Sequence, residues 1–205
     1  MNAERARLRR ELREKRRAIP APQRIAAAQS LAQRLLSLPT APLVGHVAGY
    51  WAMDGEIALH AWQLQLPPGL IYCLPVLIDD GLLAFAPWRP GEPLATNRFG
   101  IPEPDVAPEV RLSPDVMAMV VVPLVGFDTR CQRLGMGGGW YDRSFAASHL
   151  ADDASGKRGQ PLLVGAAFAV QQVDRLPAQA WDVALDVVCT ETDTFYGTAT
   201  TDEPA

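Results

Sequence analysis

Six stretches of this chain are apolar at almost every position: "VGHVAGY" (44–50), "LIYCLPV" (70–76), "LLAFAPW" (82–88), "VMAMVVV" (116–122), "PLLVGAAF" (161–168) and "LDVVCT" (185–190). A strand with one face in water alternates apolar and polar residues, whereas a strand covered on both faces does not. The runs therefore predict an α/β fold, a single domain with a largely parallel central sheet flanked by helices and with room for antiparallel strands at its edges. A chain of 205 residues, 48% of them hydrophobic, is long enough for one domain with a real core. That domain is expected over 1–196, with a polar tail at 197–205. The Pro/Gly-rich stretch 87–114 reads as an excursion from the sheet.

Two helices are expected ahead of the strands. "NAERARLRRELREKRRAI" (2–19) has no breaker before Pro20, and Leu8, Leu12 and Ile19 give only a thin apolar stripe. It should lie packed on the domain and not inside it. In "APQRIAAAQSLAQRLLSL" (21–38), Ile25, Ala28, Leu31, Leu35 and Leu38 recur at helical spacing before Pro39.

The net charge of −4 hides an asymmetry, because Arg5, Arg7, Arg9, Arg10, Arg13, Lys15, Arg16, Arg17 and Arg24 face only Glu4, Glu11 and Glu14 in the first 24 residues. Nucleic acid, anionic lipid, or a phosphorylated or polyglutamylated small molecule are the partners such a helix suits. Most of these arginines also read simply as a solvated face with i,i+4 pairs such as Glu11 with Lys15. Cys73, Cys131 and Cys189 are odd in number and far apart, which fits neither a disulfide framework nor a zinc spacing. With no apolar run near membrane-spanning length and a charged N-terminus, the expectation is a cytoplasmic protein without a membrane partner.

The densest signal is "VVPLVGFDTRCQRLGMGGGWYDRSF" (121–145), where a buried strand leads into Gly135, Gly137, Gly138 and Gly139. Loops beyond the carboxyl ends of parallel strands are where ligands collect. Glycines let backbone N–H groups approach an anion, and a helix starting near Trp140 would add its positive end. The loop is neither a Walker loop, lacking Gly-Lys-Ser/Thr, nor a dinucleotide fingerprint, having Trp140 at the sixth position. A glycine-rich turn without ligand is the plain reading and a phosphate cradle the functional one. Asp128 and Arg133 before it and Tyr141, Asp142 and Arg143 after it favour an anion with a metal. Asp142 suits the first helical turn on dipole grounds alone, and equally suits Mg²⁺ beside phosphates.

This stretch resembles the signature of the 5-formyltetrahydrofolate cyclo-ligases, also called 5,10-methenyltetrahydrofolate synthetases. "RARLRRELREKRRAI", "GYWAMDGEI", "FGIPEP" and "LPAQAWDVALDVVCT" resemble further blocks of that family in the same order, together spanning residues 5 to 190. The resemblance implies conversion of 5-formyltetrahydrofolate, with or without a polyglutamate tail, to 5,10-methenyltetrahydrofolate with ATP as co-substrate, Mg²⁺ as cofactor, and ADP and phosphate released. It implies ATP contacts at Arg5, Arg9, Arg133, Leu134, Gly135, Met136, Gly137, Gly138, Gly139, Trp140 and Tyr141. Folate contacts are implied at Trp51, Glu56 and again Met136 to Trp140, and metal contacts at Asp142 and Asp182. Arg5 stands where the family usually has Lys, Met136 where a basic residue is common, Cys131 for glycine and Trp140 for tyrosine. Met136 cannot pair with phosphate as a basic residue would, which either weakens ATP binding or leaves that part to Arg130.

Phosphoryl transfer of this kind depends on positioning and charge neutralisation and requires no cysteine or histidine nucleophile. A monomer is expected. A relative that binds RNA through the basic helix fits less well, since that helix lacks interleaved aromatics; an enzyme of this fold acting on another phosphate ester is the other alternative. Replacing Arg9 by Ala is expected to weaken nucleotide binding with the fold intact, and replacing Arg16 to do neither harm.

Overall fold

The computed structural model describes residues 3–78, 81–150 and 161–197, so most of the expected tail lies outside the described residues. Helices α1 (Ala3–Arg17) and α2 (Ala21–Leu36) precede strand β1 (Gly45–Ala48), the short helix α3 (His60–Gln63), and strands β2 (Leu70–Leu77) and β3 (Leu83–Pro87). A hairpin of β4 (Leu94–Thr96) and β5 (Pro102–Pro104) leads to β6 (Met117–Pro123), the ribbon β7 (Gly126–Phe127) with β8 (Arg133–Leu134), and helix α4 (Trp140–Leu150). Strands β9 (Leu162–Ala166), β10 (Val187–Cys189) and β11 (Thr194–Tyr196) complete the chain.

Seven strands form one sheet in the order β11-β10-β9-β6-β1-β2-β3. All neighbours are parallel except the two edges, where β3 and β11 run antiparallel to β2 and β10. The six apolar runs supply six of these strands. The seventh, β11, is three residues long and carries no periodic signal. The excursion at 87–114 contains the β4–β5 hairpin, whose tip is fixed by Asn97: its side-chain oxygen accepts from the N–H groups of Phe99 and Ile101 at 2.9 and 3.1 Å.

The continuity of the apolar runs has a direct cause in β6. Met119 and Val121 point into a cluster with Leu31 and Leu35 of α2 and Trp62 of α3, while Val120 and Val122 point into a second cluster with Phe145 of α4. Both faces are therefore core, and each such side chain contributes roughly 1.5–3 kcal/mol by leaving water. The buried stripe of α2 is Ala27, Ala28, Leu31, Ala32 and Leu35. Ile25, expected in that stripe, remains 67% exposed, because burial along α2 begins only at Ala27.

Helix α1 corrects the expectation of a largely solvated basic face. The side it turns to the domain is Arg5, Arg9, Leu12 and Arg16, spaced four, three and four residues apart; Arg7 and Arg10 stay outside. Leu12 packs with Val125, Leu134 and Leu176. Arg16 is fully buried, and donates to the Leu124 carbonyl at 3.1 Å, to the Asp54 carbonyl at 3.1 Å and to the Asp54 carboxylate at 2.9 Å. Arg13 and Arg17 bind the same carboxylate. One i,i+4 pair does form on the outer face, Arg7 with Glu11 at 3.0 Å.

From β1 the sheet grows outward through β2, and from β6 it grows the other way through β9. The strand order thus reverses between β1 and β6, and the crevice beyond their carboxyl ends is where such sheets hold ligands. The segments that leave those two ends are 49–57 and 124–142.

Candidate functional site

The segment after β1 is a tight turn held from several sides. Met53 and Glu56 close it, the Glu56 N–H donating to the Met53 carbonyl and the Met53 N–H to the Glu56 carboxylate, both at 2.9 Å. Tyr50 Oη donates to the Ile57 carbonyl at 2.7 Å. Arg16 stands 3.8 Å from the Glu56 carboxylate. Burial pushes the Glu56 carboxyl above its usual range, against the opposing pull of the Met53 N–H and of Arg16. The result is a largely but not fully buried carboxylate with acceptor capacity, lining the crevice.

The segment after β6 runs through the β7–β8 ribbon into the glycine loop. Gly137 and Gly139 adopt φ of +99° and +66°, a region that side chains with a Cβ resist. Arg9 Nε donates to the Gly135 carbonyl at 2.8 Å, and Arg143 donates to the Gly138 carbonyl at 2.9 Å. With those carbonyls held, the backbone N–H groups of Met136, Gly137 and Gly138 donate to no other described residue. Three donors beside the first turn of α4 make the loop a candidate anion cradle. Trp140 opens that helix with the Arg98 and Arg143 guanidinium groups 5.5 and 5.3 Å from its ring centre.

Two ion pairs border the cradle. Arg133, nearly buried, bonds the Val183 carbonyl and reaches Asp142 Oδ1 at 2.5 Å. Arg5 clasps Asp182 through both of its terminal nitrogens, at 2.5 and 3.2 Å. The two aspartates are neighbours, since Asp142 Oδ1 also accepts from the Val183 N–H at 3.1 Å. Asp182 Oδ2 accepts from the Gln179 N–H at 2.9 Å.

One cavity of about 990 Å³ is lined by Arg5, Arg9, Trp51, Glu56, Arg133, Gly135 to Asp142 and Asp182. The structure thus brings together every candidate residue except Leu134, whose side chain faces the small core cluster around Leu12. Its neighbour Arg133 points the other way because the two alternate along β8. Arg130 is also corrected: it pairs with Asp128 at 2.6 Å and does not line the cavity. Asp128 itself is fully buried and accepts from the N–H groups of Arg130, Gln132 and Leu176, which makes it the brace of the 128–132 turn. Cys131 adopts φ of +59° within that turn, which is why glycine suits the position.

The sequence reading missed Tyr50, Met53, Phe99 and Trp181 as cavity residues. Phe99 and Trp181 lay inside the quoted blocks, and an exposed aromatic beside a binding motif was the available signal. Cys73, Cys131 and Cys189 are buried and do not line the cavity, and burial pushes their thiols up, to about 12 for Cys73 and Cys131 and about 11 for Cys189, away from the thiolate form. No helix of the described residues is long and apolar enough to cross a membrane.

The donor set for a hard cation is partly free. Asp142 Oδ2 accepts from no described residue, but both oxygens of Asp182 are engaged. Among the described residues no cluster of three or more metal-binding side chains occurs. Two carboxylates suit Mg²⁺ when phosphate oxygens and waters supply the remaining positions, so the residues fit a metal that arrives with a polyanion.

Over most of its length the chain is similar to proteins of one family. The profile of the 5-formyltetrahydrofolate cyclo-ligase family matches residues 1–191. A protein of Haemophilus influenzae named 5-formyltetrahydrofolate cyclo-ligase is 36% identical over 185 residues, covering 88% of this chain and 94% of the relative. One of the same name from Escherichia coli K12 is 35% identical over 187 residues, covering 87% and 96%. The solution structure of Aquifex aeolicus 5,10-methenyltetrahydrofolate synthetase superposes with a TM-score of 0.78 at 27% identity, covering 98% of this chain and 96% of that one. The synthetase of Mycoplasma pneumoniae, at 23% identity and a TM-score of 0.67, shares the fold.

Proposed function

Because the chain belongs to the 5-formyltetrahydrofolate cyclo-ligase family, we propose that it closes the 5-formyl group of 5-formyltetrahydrofolate onto N10, using ATP, to give 5,10-methenyltetrahydrofolate, ADP and phosphate. The observation that carries this reading is the cavity that joins a largely but not fully buried carboxylate, Glu56, to a glycine loop edged by Arg5, Arg9, Arg133 and Arg143. Helix α1 sets the span between them. At 1.5 Å per residue, Arg5 at the phosphate end and Arg16 at the Glu56 end are about 16 Å apart along the axis. That is room for a pterin and a polyphosphate within one site.

In this reading Glu56 accepts hydrogen bonds from the pterin amino and ring N–H groups and fixes the ring. The free N–H groups of Met136, Gly137 and Gly138, together with Arg9 and Arg133, hold the transferring phosphoryl group. The formyl oxygen takes the γ-phosphoryl group from ATP, N10 attacks the activated carbon and gives up its proton, and the C–O bond breaks as phosphate leaves with the former formyl oxygen and that proton. Positioning and charge neutralisation do this work. Asp142, and Asp182 once freed, would hold Mg²⁺, which supplies charge neutralisation on the nucleotide phosphates. The direct test is the absorbance of the methenyl product from 5-formyltetrahydrofolate with and without MgATP; no nucleotide-dependent product would reject the reading.

Arg9 should matter to nucleotide more than to fold. Its backbone contact is a single bond to Gly135, and its guanidinium lies within reach of the loop, 3.6 Å from where a Gly137 Cβ would stand. Loss of one charge-assisted hydrogen bond costs roughly 1.5–3 kcal/mol, so Arg9→Ala should weaken ATP binding about ten- to hundredfold. Calorimetric ATP titration checks this, and wild-type affinity would remove Arg9 from the nucleotide site.

Glu56 predicts a pH dependence. Its folded pKa is raised, so the carboxylate is present above that pKa and lost as pH falls through it, at a higher pH than for an ordinary glutamate. Folate affinity, followed by quenching of tryptophan fluorescence, should decline as pH falls through this window. In Glu56→Gln it should be weak at every pH, with that limb absent.

A further inference from the structure

We infer that Arg5 makes this site select the metal–nucleotide complex over the free metal, by occupying the Asp182 carboxylate until nucleotide phosphates draw the guanidinium away. The inference rests on the proposed nucleotide reading and assigns Arg5 a part in it beyond phosphate contact.

Three observations carry it. Both oxygens of Asp182 are taken by Arg5, Oδ2 at 2.5 Å and Oδ1 at 3.2 Å, and the two side chains are only 7% and 11% exposed. Arg5 is additionally tied to the Pro177 carbonyl at 3.0 Å, so the clasp has a fixed geometry. Arg9 and Arg133 line the same cavity as Arg5, Asp142 and Asp182, and Arg133 reaches Asp142 Oδ1 at 2.5 Å.

Charge then decides the order of events. Arg5, Arg9, Arg133 and Arg143 against Asp142 and Asp182 leave two net positive charges at the phosphate end. A bare divalent cation adds two more and must also evict Arg5 from its carboxylate, leaving a nearly buried guanidinium without a counter-ion. Such a loss is far costlier than an exposed pair would suggest. A tetra-anionic nucleotide reverses the balance. Its phosphate oxygens are bidentate partners for a guanidinium, so Arg5 exchanges one anion for another while Asp182 becomes available to the metal. Asp142 alone, with Oδ2 free, is a single carboxylate and a weak site for Mg²⁺.

The experiment is Mn²⁺ binding read by the disappearance of the free-ion electron paramagnetic resonance signal, on the intact protein, with and without ATP. Wild type should bind Mn²⁺ strongly only with ATP. Arg5→Met should bind Mn²⁺ without nucleotide at least about tenfold more tightly than wild type, the scale of one charge-assisted hydrogen bond. Arg5→Lys, which keeps the charge but not the two-point clasp, should fall between them and serves if the Met variant does not fold. Adding Asp182→Asn to either variant should abolish the increase. Free Mn²⁺ binding to wild type as tightly as to Arg5→Met, or an increase that survives Asp182→Asn, would overturn the inference while leaving the nucleotide reading standing. Absence of ATP binding in wild type, with or without Mn²⁺, would instead sink the nucleotide reading and the inference with it.

Discussion

Gly137→Val is expected to remove MgATP-dependent turnover while leaving a folded protein. Gly137 sits at φ +99°, where a β-branched residue is strongly disfavoured, and its N–H is one of the three that donate to no other described residue. A Cβ there would come no closer than 3.6 Å to Arg9 Cζ, so the substitution meets no hard clash with the protein. Its damage is to loop conformation and to the space in front of the cradle. Displacement of a positioning group by about 1 Å is enough to cost a hundredfold in rate, and a shifted loop moves several donors at once. Turnover of 5-formyltetrahydrofolate should therefore fall by more than about a hundredfold, with the circular dichroism spectrum unchanged. A folded Gly137→Val enzyme with ordinary turnover would place phosphate somewhere other than this loop.

Arg16→Ala is expected to be the most destabilising change in the basic helix, contrary to the reading of Arg16 from sequence. The side chain is sealed from water, fills space at the helix–domain junction, and holds the Asp54 carbonyl and carboxylate as well as the Leu124 carbonyl. Gln171 also donates to Leu124, and Arg13 and Arg17 still cover Asp54, so the group most affected by the truncation is Glu56. Removing one partner from a buried ionic network costs roughly 3–5 kcal/mol, which for a domain of this size lowers the melting temperature by roughly 10 °C. Folate affinity should fall too, because Glu56 is then without the cation that favours its ionised form. Arg17→Ala is the control: its exposed bond to the same Asp54 should be worth at most about 1 kcal/mol. Equal melting temperatures for the two variants would contradict the role assigned to Arg16.

Those neighbouring arginines show where sequence reading stops. Nothing in "REKRRAI" distinguishes Arg16 from Arg17. The difference is made by Asp54 and Glu56, some forty residues away, and by which side of α1 meets the domain. The same holds for Asp128, which braces a turn, and for Asp142, which borders the cavity. Both flank the glycine loop in sequence, and only the fold shows that one accepts three backbone N–H groups while the other keeps an oxygen free.

What the sequence determined by itself was whatever depends on local pattern. Continuous apolar runs required a sheet covered on both faces, because apolar area gains from leaving water whatever its partner. The stripe Ala28, Leu31 and Leu35 gave α2 its buried side, and four glycines in five positions marked a loop made for close backbone approach. Tertiary structure alone decided the charged groups: Arg5 on Asp182, Arg16 on Asp54 and Glu56, Arg130 on Asp128, and Leu134 turned inward beside Arg133 turned out. A charge has no fixed worth along the chain, since its free energy depends on burial and on the nearest opposite charge, and both are set by residues far away in sequence.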